Sequence, residues 1–220
     1  MNLGAGAAAL GVDLSDSQIA QLQKLAAGLQ EWNKLYNLTS IHEPAQILTR
    51  HLLDSLSIHA DLAGETVADV GTGAGFPGLP LAIANPSRQF TLIDSVNKKL
   101  RFVEFMVLEL GLGNVVTRHA RVEQLKPESA FDCVTTRAFA PLPRLLKWVA
   151  PLCDAHTRVI AMKGRWPPEP GSDDAGALPA GWRMESLRRV TVPGLDAERH
   201  VLLLQRAVRA TSSRPGHRHA

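Results

Sequence analysis

A chain of 220 residues with 24 Lys and Arg against 21 Asp and Glu carries a formal charge of +3, with room for one full domain and a modest extension. That balance excludes a histone-like polycation; it is compatible with a nucleic-acid partner without requiring one. The cysteines, Cys133 and Cys153, fit neither a CxxC pair nor a zinc spacing, and no stretch has a secretory leader's pattern or transmembrane length, so free thiols in a soluble, cytoplasmic protein are expected.

Hydrophobic residues make up 45% of the chain and aromatics only 5%, so the core is expected to be mostly Leu, Val, Ile and Ala. Ser15 and Gln18 form a capping-box pattern, and Leu22, Leu25, Leu29, Trp32, Leu35 and Tyr36 follow at helical spacing. A second helix is predicted from Pro44 to about Ala60, with Ile47, Leu48, His51, Leu52, Ser55 and Leu56 near one face. Residues 1–63 thus read as a helical cap packed on one edge of a sheet. From Thr66, strands and helices alternate: strand Thr66–Val70 and helix Gly78–Ala84, strand Gln89–Ile93 and helix Asn97–Leu110, strand Val115–Arg118 and a turn around Arg121–Leu125, strand Phe131–Thr135 and helix Leu142–Val149, then strand Arg158–Met162. Such alternation predicts a parallel sheet covered on both faces. Gly164–Gly181 reads as a long mobile loop able to cover a substrate. Trp182–Val192 and Arg199–Leu204, joined through Pro193-Gly194, predict an antiparallel hairpin that completes a mainly parallel, seven-stranded α/β domain over residues 64–206. The basic tail, 207–220, is expected to be disordered.

The turn after the first strand, Gly71-Thr-Gly-Ala-Gly-Phe-Pro-Gly78, is the most informative element. Glycine lacks a Cβ, so backbone can approach a ligand closely and take positive φ, and the helix start offers N–H groups and partial positive charge. The spacing fits the G-x-G-x-x-G pattern of dinucleotide folds, with Asp94 near where those folds place a ribose-binding acid. Two features turn the reading toward S-adenosylmethionine. Asp69 lies within the strand, where a carboxylate can act near the amino group of a methionine-like ligand. After Asp94 the chain has room only to finish one sheet, without the second domain a dehydrogenase usually needs.

Ligands of such sheets bind beyond the carboxyl ends of the strands. Those ends supply Gly71 to Gly78, then Asp94 and Ser95, then Arg121, Val122 and Glu123, then Arg137, Ala138 and Phe139, and finally Lys163. The expected cofactor set is Asp69, Gly71, Gly73, Gly75, Phe76, Asp94, Ser95, Val122, Glu123 and Arg137. Asp94 would accept from both ribose hydroxyls or cap the helix at Asn97; Val122 and Glu123 would flank adenine or form an exposed turn; Phe76 would pack on the cofactor or in the core. Arg137, at the end of an apolar strand, needs an anion: a phosphate, the cofactor carboxylate or a structural partner. Lys98, Lys99 and Arg101 form a solvated helix face or touch RNA phosphates. Eight scattered histidines suggest no metal site and no nucleophilic triad.

Four stretches go further: Trp32-Asn-Lys-Leu-Tyr-Asn-Leu-Thr39, Arg50-His-Leu-Leu-Asp-Ser55, Asp69 to Gly78, and Thr136-Arg-Ala-Phe139. With Leu195-Asp-Ala-Glu-Arg-His200, the chain from about Leu14 to Gln205 resembles the bacterial ribosomal small-subunit methyltransferase G family. The resemblance implies a class I, Rossmann-like S-adenosylmethionine-dependent methyltransferase that methylates N7 of guanine(527) in the 530 loop of 16S ribosomal RNA. It implies cofactor contacts at Gly71, Phe76, Val122, Glu123 and Arg137 and a ribosomal RNA or small-subunit partner. No metal and no membrane are expected, and a monomer is expected although the sequence does not fix the oligomeric state. Arg137 and Lys163 would orient the guanine or its phosphates, with no general base. The family's usual Ser before the arginine is Thr136 here; both carry a hydroxyl.

Overall fold

The computed structural model describes residues 2–169, 171–175 and 177–207; the tail expected to be disordered lies, after Ala207, outside them. A short helix that the sequence reading did not anticipate, α1 (Leu3–Ala9), opens the chain, with the Asn2 side chain accepting from Ala5 N–H. Its small residues permit close packing: a Cβ on Gly6 would lie 2.6 Å from the Leu53 side chain. Helix α2 (Asp16–Tyr36) begins at the expected capping box, Ser15 and Gln18 each accepting the other's backbone N–H, and it ends at Asn37 in the left-handed region. Leu22, Leu25 and Leu29 are buried as their spacing requires. Leu35 is 78% exposed, however, and Asn33 is buried in the last turn instead. The chain reverses there, and the Asn33 amide both donates to the Thr39 carbonyl and accepts its N–H.

The predicted helix from Pro44 is not one regular helix. An α-helical turn, α3 (Pro44–Ile47), widens into a π-helix over Leu48–Leu53 and returns as α4 (Asp54–Leu56), followed by a 3₁₀ turn at His59–Asp61. The widened turn buries consecutive residues from His51 to Ile58, so the burial does not follow a 3.6-residue stripe.

The sheet then builds as alternation predicts: β1 (Thr66–Val70), α5 (Gly78–Ala84), β2 (Gln89–Asp94), α6 (Asn97–Leu110), β3 (Val115–His119), a 3₁₀ turn at Val122–Gln124, β4 (Cys133–Arg137), α7 (Leu142–Val149), β5 (Arg158–Lys163), β6 (Trp182–Arg189) and β7 (His200–Arg206). Its strand order is β3-β2-β1-β4-β5-β7-β6. The first five strands pair in parallel, and β7 lies antiparallel between β5 and β6. β4 starts two residues later than expected, pairing Val67 with Cys133. The reason is local: the Asp132 carboxylate accepts from the backbone N–H groups of Glu65 and Thr66 and from the Thr66 hydroxyl, fastening the entry of the strand. Arg137 is therefore the last residue of β4 rather than the second after it.

Apolar residues collect on both sheet faces. One cluster joins Leu22, Leu29, Leu53 and Leu56 of the N-terminal helices to Val67, Phe90 and Phe102. The other joins α7 to Val70, Ile93 and Val134. Among the described residues no helix is long and apolar enough to cross a membrane. Both cysteines are free thiols, and burial raises their pKa to about 11 for Cys133 and about 12 for Cys153.

Candidate functional site: two hollows at the carboxyl ends of the strands

Strands β1 and β2 run side by side, with Val70 opposite Ile93, which places the glycine turn beside Asp94. The turn closes on itself. Gly71 and Thr72 donate their N–H groups to the Ile93 carbonyl, Gly75 and Phe76 to the Thr72 carbonyl, Gly73 to the Asp94 carboxylate and Gly78 to the Asp69 carboxylate. These amides are engaged within the protein, so the expectation that the helix start would offer free donors is corrected. What bounds the turn is negative: Asp69 below it and Asp94 beside it.

Asp69 is fully buried. Its oxygens accept from the Thr72 hydroxyl at 2.6 Å, Gly78 N–H at 2.8 Å and the Thr135 hydroxyl at 3.2 Å. Burial pushes its pKa up to about 6, against those hydrogen bonds and the charge of Arg137, which lower it. The sequence reading set this carboxylate beside a ligand's amino group; the structure encloses it under the turn, where it ties β1, the turn and β4 together. Asp94 has one oxygen 2.8 Å from Gly73 N–H and the other 2.8 Å from Val96 N–H, and it keeps slight exposure.

A first hollow of about 280 Å³ opens here. It gathers the strand-end residues Gly71, Asp94, Ser95, Arg121, Val122, Glu123 and Phe139, and adds Trp148, whose ring is 5.7 Å from that of Phe139. Gly71 has φ of +69°, and a Cβ there would lie 2.1 Å from the Phe139 ring. Glycine is required at this position by conformation and by contact. The other two glycines of the expected set act differently. Gly75 is packed against Leu79, and Gly73 has open space about it; neither lines this hollow. Phe76 is buried, with its ring stacked on His51 at 4.6 Å.

A second hollow of about 330 Å³ lies between the N-terminal helices and the ends of β4 and β5, bounded by Arg50, His51, Asp54, Arg137, Lys163 and Arg199 among others. Asp54, whose side chain is 2% exposed, bonds Arg137 at 3.0 Å and Arg199 at 2.8 Å. Arg137 also donates to the Arg50 carbonyl and to His51 Nδ1, and its guanidinium lies 5.7 Å from the Phe76 centroid. Of the anions weighed for Arg137, the structure supplies a structural carboxylate, while the residue still faces the hollow. His51 Nε2 bonds the Thr39 hydroxyl at 3.0 Å. With Nδ1 accepting from Arg137, the ring is neutral and Nε2 carries the proton. Burial, then the charge of Arg137, lower its pKa to about 3.

Lys163 is pinned as well, bonding Asp174 at 2.8 Å and the Ala140 carbonyl at 3.1 Å. Asp174 belongs to the segment expected to be a free loop; it also accepts from Leu142 N–H at the start of α7. Between the hollows, Ala138 takes φ of +48°. This left-handed residue is a strained choice for alanine, and it sends Arg137 to one hollow and Phe139 to the other. The Thr136 hydroxyl is buried with no hydrogen-bond partner.

Asp54 and Arg199 were not singled out by residue reasoning, and His51 was weighed there both as a packed, hydrogen-bonded residue and as a substrate contact. The available signal was their place inside two of the stretches that carry the resemblance, Arg50 to Ser55 and Leu195 to His200. A larger cavity, about 560 Å³, lies elsewhere, among Ser15, Gln18, Gln89 and Asn114 near the starts of β2 and β3, and gathers none of these groups. Among the described residues, no three His, Cys, Asp or Glu side chains cluster as metal ligands.

Solved structures share this architecture. A SAM-dependent methyltransferase from Aquifex aeolicus aligns with a TM-score of 0.56 at 18% identity, covering 77% of this chain and 97% of that one. Magnesium protoporphyrin IX methyltransferase from Synechocystis PCC 6803, solved with bound SAM, aligns at 0.55 and 18% identity, covering 88% and 98%. Sequence relatives are much nearer. Ribosomal RNA small subunit methyltransferase G of Marinobacter nauticus is 46% identical over 204 residues, 93% of this chain and 94% of that protein. The protein of the same name from Idiomarina loihiensis is 44% identical over 195 residues, 89% and 93%. The family described as rRNA small subunit methyltransferase G matches residues 18–202. The chain belongs to that family.

Proposed function

We propose that the protein transfers a methyl group from S-adenosylmethionine to N7 of one guanine of 16S ribosomal RNA, guanine(527) in the 530 loop. The observation that carries the cofactor reading is the electrostatic character of the first hollow. A pyrophosphate needs unengaged backbone donors, yet the amides of Gly71, Thr72, Gly73, Gly75, Phe76 and Gly78 are bonded internally and two carboxylates bound the turn. A ligand with cationic sulfonium and ammonium groups is favoured by that field. The residues fit the rest of the group: Asp94 and Ser95 would hold the ribose, Val122 and Glu123 the adenine, and Gly71 the close approach of the backbone.

When bound, S-adenosylmethionine supplies an electrophilic methyl on a positively charged sulfur. Guanine N7 carries a lone pair, so the protein need not remove a proton. The second hollow agrees with that requirement: His51, its one buried imidazole, is held neutral with both ring nitrogens engaged. The work left to the chain is alignment. Arg137 and Lys163, themselves fixed by Asp54 and Asp174, line the second hollow, where they would orient the guanine or its phosphates. Residues 1–63 would act as the cap carrying one wall of that hollow, and residues 64–206 as the methyl-transfer domain. We place the protein in the cytoplasm as a monomer acting on the small subunit or its RNA, in keeping with its family.

The test is a map of modified guanines in 16S ribosomal RNA from cells with and without the gene. A single N7-methylguanine should vanish on deletion, return with the wild-type chain and stay absent with Arg137→Ala. Full restoration by a well-folded Arg137→Ala variant excludes the orienting role.

A further inference from the structure

Helices α2 and α6 run antiparallel: Lys24 pairs with Glu109, Gln21 reaches the Leu110 carbonyl, and Trp32 packs on Phe102 and Phe105 at ring separations of 5.6 and 5.2 Å. The C-terminal end of α2 therefore lies beside the N-terminal half of α6. There the surface is aromatic and open. Tyr36 is 41% and Phe105 39% exposed, on either side of Trp32, and each ring centroid is 5.2 Å from the indole. Three aromatic rings in mutual contact, two of them open to solvent, offer flat faces on which a planar partner can stack.

The charge around the ledge indicates which occupant. Lys98, Arg101 and Phe105 follow at spacings of three and four along α6, so they share one exposed face. Lys98 and Arg101 enter none of the ion pairs among the described residues. The nearby acids are engaged: Glu31 with Lys34, Glu109 with Lys24, and Glu104 with the Thr117 hydroxyl. Unpaired cations beside exposed ring faces form the combination that holds single-stranded nucleic acid, with bases stacking on the rings and phosphates meeting the cations.

At one end of the ledge both helices connect to the site. α6 begins two residues after Ser95, which lines the first hollow. Three residues beyond Tyr36, Thr39 bonds His51 of the second hollow. We propose that Tyr36, Trp32 and Phe105, with Lys98 and Arg101, form a stacking platform for an unpaired base of the RNA substrate, outside the methyl-transfer hollows. The inference rests on the ribosomal RNA reading above and adds to it a second point of contact.

The experiment uses small subunits from cells lacking the gene as substrate. A double variant, Tyr36→Ala with Phe105→Ala, removes the exposed rings and leaves the half-buried Trp32 packed against the core. It should raise KM for the subunit about tenfold or more, with kcat and cofactor affinity unchanged, while Tyr36→Phe behaves as wild type. Arg101→Gln should reduce the slope of log affinity against log salt by about one. Ultraviolet irradiation of the wild-type complex should leave nucleotide adducts on peptides containing Tyr36 or Phe105. An unchanged KM in the double variant overturns the platform, as does a raised KM with crosslinks from this face to a ribosomal protein instead of to RNA. If the wild-type chain neither binds nor methylates the subunit, the ribosomal reading falls with it; if it methylates normally and only the variants are silent, the platform alone falls.

Discussion

Single residues of the glycine turn separate into two kinds. At Gly71 a side chain would meet both a left-handed backbone and the Phe139 ring, whereas at Gly73 it would meet the backbone alone, since nothing lies within 4 Å of its Cβ. Gly71→Ala should therefore cost about 3 kcal/mol or more, strain and overpacking together, and abolish cofactor binding measured by calorimetry. Gly73→Ala should cost about 1–2 kcal/mol, the strain alone. Equal losses would show that ring contact is not what fixes Gly71. Asp54 poses the complementary case. Its carboxylate holds two guanidinium groups whose side chains are only 18% and 23% exposed, so Asp54→Asn strands both charges at once. A loss of about 2–4 kcal/mol in denaturant unfolding is expected, with methylation falling because Arg137 loses its anchor. Neither Asp54 nor Arg199 stands out in a sequence. A buried ion pair is made of two residues that each read as surface positions, and only the tertiary fold reveals the pairing. The glycine pattern misleads for a related reason: spacing does not tell a glycine needed against a ligand from one needed against Leu79.

At the scale of elements, strong periodicity was legible and local exceptions were not. β1, α5, α6 and α7 have the limits that alternation and helical spacing assign. The exceptions have local causes, such as the Asp132 fastening that delays β4 and the π-helix that interrupts the second predicted helix. That π-helix carries His51, and its chemistry has a pH consequence. The folded imidazole titrates at about 3, against 6.5 for the free group. Between those values the unfolded chain binds a proton that the folded chain refuses, so stability falls as pH drops from 6.5 toward 3. Asp69 acts in the opposite sense, since its raised pKa of about 6 adds stability as pH falls from 6 toward 3.8. His51→Gln should flatten the acid side of the stability curve in chemical denaturation. A curve as steep as that of the wild type would mean that another group sets it.

For the whole molecule, the cofactor should be the main external source of stability. A ligand at one hundred times its Kd contributes about 2.7 kcal/mol to a chain that binds it only when folded, or roughly 5–10 °C in Tm at this size. S-adenosylmethionine should produce that shift and NAD should not. A shift with the nicotinamide alone would reverse the assignment of the first hollow. The general architecture was readable because seven strands and their crossovers leave few ways to wind one sheet. The placement of β7 between β5 and β6 was not, since a hairpin at a sheet edge can enter with either strand inward.

That placement bears on the order in which the two hollows arise. The wall of the first is complete once Trp148 has been synthesised. The second waits for Arg199, 145 residues after Asp54, carried immediately ahead of the last strand. If the two hollows serve donor and acceptor as proposed, a nascent chain whose final hairpin is still inside the exit tunnel has the lining of the first and lacks part of the second, so chains truncated before β7 should lose transfer even where they still bind the donor.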